Sequence, residues 1–157
     1  MKKLIFIFIL GLLGGCIPEE EVKTLQAPSP DQEIPLSREG LELSLSQRVY
    51  TESPTVIDTS ITNNSQQDYE YGDYYYIEVN KNGDWYTLVH SDAVFLNNPQ
   101  LKDFGHTLPA GREIQQAFSI DMLGVTLYPG DYRLVKTFLS QGMPYHEVSL
   151  AFPFTVE

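Results

Sequence analysis

The chain runs to 157 residues with 10 basic and 21 acidic side chains, a formal charge of −11, and a single cysteine. So acidic a surface opposes nucleic acid, whose phosphates must be neutralised by Lys and Arg. One cysteine excludes an internal disulfide, and the length is that of one domain of ordinary size.

The first element in chain order is an export signal. Lys2-Lys3 precede an apolar run from Leu4 that ends in Leu13-Gly14-Gly15-Cys16. A membrane-spanning helix needs about 20 apolar residues, and this run is too short to span but suits a signal core. The two lysines favour the cytoplasmic side. The layout resembles a bacterial lipoprotein signal. That resemblance implies cleavage before Cys16, acylation of its thiol by diacylglycerol, and a lipid membrane as the first partner. Ile17 is not the aspartate that retains such proteins at an inner membrane, so the implied place is a cell membrane or outer membrane, on the exported side. Without residues 1–15 the balance becomes 8 basic against 21 acidic side chains, or −13. That charge disfavours adhesion to anionic headgroups.

Residues 16–38 read as the lipidated cysteine and a tether. Pro18, Pro28, Pro30 and Pro35 interrupt helix and strand, and Glu19-Glu20-Glu21 repel one another. Such a segment spans about 25 Å as a coil and at most roughly 70 Å extended. From residue 39 to 157 the composition turns to β-formers and aromatics.

Period-2 alternation marks the strands that follow. Leu41, Leu43 and Leu45 alternate with polar residues, as do Ile57, Thr59 and Ile61 before an Asn63-Asn64-Ser65 turn. Residues 69–79 read as one aromatic strand with Tyr75, Ile77 and Val79 on one face and Tyr74, Tyr76 and Glu78 on the other. Asn82-Gly83 then signals a tight hairpin leading into Trp85–Val89. Leu108–Gly111 reads as a turn, Ile114–Ile120 as a strand, and residues 121–126 as a short helical turn. Asp131–Leu139 follows Gly130 as a strand. In the last strand Val148, Leu150, Phe152, Phe154 and Val156 share one face, while Pro153, unable to donate to a ladder, points to a sheet edge or bulge.

About seven strands joined by turns predict an all-β, antiparallel two-sheet sandwich. Leu127-Tyr128-Pro129-Gly130-Asp131-Tyr132 resembles the corner before strand F of immunoglobulin-like and fibronectin type III domains. By that resemblance the Tyr132 hydroxyl bonds back to upstream backbone and Trp85 is a core aromatic; the inter-sheet cysteines of antibody domains are missing. The ordered string of Ile61–Asn64, Tyr71–Tyr74, Asn82–Tyr86, Pro109–Gly111 and Pro129–Arg133 resembles bacterial immunoglobulin-like domains of surface lipoproteins. It is similar, more weakly, to proteinase inhibitors of the BsuPI type. The first likeness implies a non-enzymatic binding or structural role. The second implies a protruding inhibitory loop, for which residues 91–103, tipped by Phe95 and Leu96, are the candidate.

No catalytic set is legible. His90, His106 and His146 lie far apart without metal-ligand spacing, the acids Asp58, Asp68, Glu70, Asp73 and Asp84 match no calcium loop, and no serine sits in a nucleophile elbow. No cofactor is expected. The tyrosines are the candidate binding residues. If Tyr75, Ile77 and Val79 face the core, Tyr74 and Tyr76 are exposed, and with Tyr69, Tyr71 and Tyr86 they could stack on a sugar or anchor a protein partner. The plainer reading is that these aromatics pair across strands and stabilise the sheet.

Overall fold

A computed structural model describes residues 20–90, 94, 98 and 100–157; Cys16, Phe95 and Leu96 lie outside the described residues. Among those described there are two sheets. The smaller is built from β1 (Ser37–Arg38), β2 (Leu41–Leu45), β4 (Val56–Asn63) and β9 (Glu113–Ser119), in the order β1-β2-β4-β9. The larger has seven strands. Its spine is the antiparallel pair β10 (Gly130–Ser140) and β11 (His146–Val156). β3 (Val49–Tyr50) runs parallel to the end of β11. On the other side of β10 lie β5 (Tyr69–Tyr71), extended by β8 (His106–Leu108), and β6 (Tyr76–Lys81), extended by β7 (Asp84–Thr87). One short helix, α1 (Ile120–Leu123), is capped by the Ser119 hydroxyl and ended by left-handed Gly124. The all-β sandwich predicted from alternation is the observed fold. It has eleven strands where about seven were expected, because three edge strands are only two or three residues long and the expected aromatic strand is two.

The alternating residues meet between the sheets. Leu41, Leu43, Ile57, Ile61 and Phe118 come from one side, and Ile77, Leu134, Phe138, Leu150 and Phe152 from the other, all 2% exposed or less. Burying each such side chain stabilises the fold by about 1.5–3 kcal/mol. The register agrees with the alternation: Leu43 stands opposite Ile61, and Ile57 opposite Phe118. Asn82 and Gly83, both at positive φ, close the β6–β7 hairpin between Lys81 and Asp84. Pro153 sits at an edge, as expected. The N–H groups of Ala151, Thr155 and Glu157 reach the carbonyls of Pro35, Arg48 and Tyr50, and Pro153 falls in the gap where this edge offers no donor.

Three expectations are corrected. Residues 69–79 do not form one strand, because five residues (71–75) on the β5–β6 side stand opposite three (136–138) of β10. Two extra residues form a bulge and preserve the alternation, so Tyr69 and Tyr75 both face the core. Trp85 is not between the sheets; it lies half-buried over the Arg133 guanidinium on the outer face, 4.6 Å to the ring centre. The segment read as a tether is docked from Glu20 onward. Thr24 bridges to Leu88, Leu25 and Ser29 N–H groups donate to Thr87 and Trp85 carbonyls, and the Gln32 side chain brackets the Trp85 backbone. These bonds satisfy the open edge of β7, which the proline-rich composition did not disclose.

Candidate functional site

The outer face of the seven-stranded sheet is the candidate site, and the bulge shapes it. Gly72 is held against the 102–103 backbone so closely that a Cβ would overlap the Lys102 carbonyl and Asp103; only glycine fits. The Asp73 N–H donates to that Lys102 carbonyl at 2.5 Å, and Asp73 Oδ2 accepts from Lys102 N–H at 3.0 Å. This clamp turns Tyr74 outward and Tyr75 inward. Tyr74 is 40% exposed and Tyr75 2%. The Tyr75 hydroxyl donates to the Ser119 carbonyl across the core, and burial pushes its pKa up to about 12.

Beside the bulge lies a cleft of about 250 Å³ lined by Tyr74, Asp103, Phe104, Thr137 and Glu147. The Thr137 hydroxyl is engaged with Ser149 Oγ at 2.8 Å. Two carboxylates and two aromatic rings line it, and among the described residues no histidine or cation does. Among the described residues neither Asp103 nor Glu147 makes an ion pair. The cleft is therefore equipped to accept hydrogen bonds and to pack against a ligand's flat or apolar face.

The tyrosines named from the sequence do not assemble into one surface. Tyr76 neighbours Tyr74, ring centres 6.3 Å apart, and is half-buried; burial first, then the Glu78 carboxylate, pushes its pKa up to about 12. Tyr69 is a correction, being fully buried, with its hydroxyl donating to the Glu39 carbonyl and accepting from Gln67 Nε2. Tyr71 is half-buried against His106, 5.4 Å between rings, and Tyr86 is half-buried against the core. Only Tyr74 stands well exposed. Tyr132, 1% exposed, donates its hydroxyl to the Tyr128 carbonyl at 2.6 Å. His146 bonds the Pro144 carbonyl and Glu39, which raise its pKa. Among the described residues no three of His, Cys, Asp or Glu come together to hold a metal ion.

Two buried cations escaped the sequence reading. Arg133 lies under the docked N-terminal segment on the outer face. Its Nε pairs with Glu78, and its terminal nitrogens donate to the carbonyls of Asp31 and Gln32 at 2.7 and 3.0 Å. Lys136, fully buried on the inner face, fills the bulge. Its ammonium donates to the Gly72 and Tyr74 carbonyls at 2.5 and 2.7 Å, with the Phe118 ring 5.7 Å away. Burial lowers its pKa to about 8, against the opposing pull of Asp73 and Asp103. The available signal was position. Lys136 interrupts the inward series Tyr132, Leu134, Phe138, where an apolar residue belongs.

Residues 37–155, from β1 through nearly all of β11, match a protein-family model described as a bacterial Ig-like domain. No curated protein matches the chain.

Proposed function

Since the chain belongs to the bacterial Ig-like domain family, whose domains are generally non-catalytic structural or binding modules, we propose that it is a binding module of the bacterial cell envelope. It is held to a membrane through acylated Cys16 and meets a protein or carbohydrate partner on the outer face of its larger sheet, with no enzymatic step of its own. The observation that carries this reading is the cleft at the bulge. A tyrosine 40% exposed is clamped there by a glycine that tolerates no side chain, beside a second aromatic ring and two carboxylates that pair with no cation among the described residues. Holding an aromatic rigidly in an open position lowers the entropy lost when a partner packs on it.

The test is capture from native envelope extract by the full lipidated protein. Tyr74→Ala should reduce the recovered partner several-fold, while Tyr86→Phe, which keeps its ring, should not. Equal recovery by wild type and Tyr74→Ala would remove the cleft from the proposal. Absence of diacylglycerol on Cys16 in the mass spectrum of the purified protein would remove the anchor.

A further inference from the structure

We infer that one pole of the sandwich, formed by the β6–β7 hairpin tip and the Tyr128–Gly130 turn, is seated against the lipid surface, an inference that rests on the anchoring at Cys16 proposed above. The chain enters the fold at that pole and does so early. Glu20 lines one cleft with Tyr128, and Glu21 pairs with Lys81 at 3.4 Å. Val22 packs against the core, and these three residues line a cleft of about 500 Å³ together with Asn82, Pro129 and Gly130. Lys23 and Thr24 continue the attachment through Val89 and Leu88.

Only four peptide links separate Cys16 from Glu20, a reach of at most about 14 Å. A flexible tether of the length read from composition would leave the domain free to tumble. Four peptide links do not allow it. The same short reach selects the occupant of this pole, because a diacylglycerol on Cys16 carries the headgroup plane to within that distance. Glu20, Glu21, Asp84 and Asp131 outweigh Lys81 here, so the pole is held beside the lipid by its anchor and is not inserted into it. From this pole β10 and β11 run eleven residues each, about 33 Å. At their far end Met143 and Tyr145 are 82% and 61% exposed, and they point away from the membrane.

The experiment uses the full lipidated protein, isotope-labelled, in nanodiscs of phosphatidylethanolamine and phosphatidylglycerol doped with a gadolinium-chelating lipid. Amide relaxation enhancement should be several-fold larger at Asn82, Gly83 and Gly130 than at Met143 and Tyr145. Inserting about twelve Gly/Ser residues between Pro18 and Glu19 should flatten that gradient. Uniform enhancement at both poles of the unmodified chain, or a maximum at residues 143–145, would overturn the orientation while leaving the anchor intact. A protein that carries no lipid on Cys16 and does not associate with the discs would overturn both.

Discussion

Arg133 and Lys136 stand three residues apart on β10, on opposite faces of one sheet, and both are withdrawn from water. Arg133 is met by a carboxylate, two carbonyl oxygens and an indole ring. Lys136 is met by two carbonyls and the edge of an aromatic cluster, with Asp73 and Asp103 acting only from a distance. A direct counter-ion offsets the lost hydration of a guanidinium, whereas carbonyl dipoles alone do not replace the hydration of an ammonium. The first site is therefore a lock closed by a direct ion pair, and the second is a lock that weakens its own charge.

The comparison breaks most sharply at Glu78. Glu78→Gln leaves Arg133 buried without its counter-ion and should destabilise the domain by about 3 kcal/mol, read as a fall in melting temperature of roughly 10 °C. The same change should loosen residues 31–32, visible as faster amide exchange in the N-terminal segment. If Glu78→Gln melts with the wild type, the pair is not what holds that face.

At Lys136 the expected effect lies in the pH profile. The folded pKa, about 8, is below the ordinary 10.5, so between these values the unfolded chain binds more protons and stability rises with pH. The full gain is on the order of 3 kcal/mol. Tyr75 and Tyr132 act in the opposite sense, because their folded pKa values near 12 exceed the ordinary 10.0 and stability falls once unfolded tyrosines ionise. Urea melts should therefore show a maximum near pH 10. Lys136→Met should erase the rise between pH 8 and 10 and leave the fall above it. A slope unchanged in Lys136→Met would assign the titration elsewhere.

Tyr132 supplies a neutral reference on the same strand. Removing its hydroxyl in Tyr132→Phe leaves the Tyr128 carbonyl short of one donor and should lower stability by about 1 kcal/mol, measured at neutral pH. The smallest effect belongs to His146, exposed and paired with exposed Glu39. Its raised pKa means that the stabilisation is present below the ordinary value of 6.5 and is lost as pH rises through the folded value. His146→Gln should differ from wild type most below pH 6.5 and in low salt, and the difference should close as pH rises through the folded value.

The sandwich was legible because its core residues alternate without exception in β2, β4 and β11, and a period of 2 has one structural meaning. The hairpin at Asn82-Gly83 was legible for the same local reason. The candidate face was read only in part. The parity that turns Tyr75 inward also turns Tyr69 inward, and a bulge of two residues leaves that parity intact, so the buried state of Tyr69 was already implied by the alternation. The bulge itself was not readable, since Gly72 reports only that a side chain is excluded and not what excludes it. Neither was the docking of residues 20–35, much of which runs through main-chain bonds that carry no side-chain pattern. The core place of Trp85 rests on the immunoglobulin resemblance alone; its actual partner, Arg133, is 48 residues away.

Pro153 has a last consequence. Between the bonds to Pro35 and to Arg48, β11 presents a stretch of bare sheet rim. A strand from a neighbouring molecule that approached this rim would find an alkyl ring where the ladder requires an N–H. Edge-to-edge pairing of neighbouring domains into a common sheet is thus opposed at this rim.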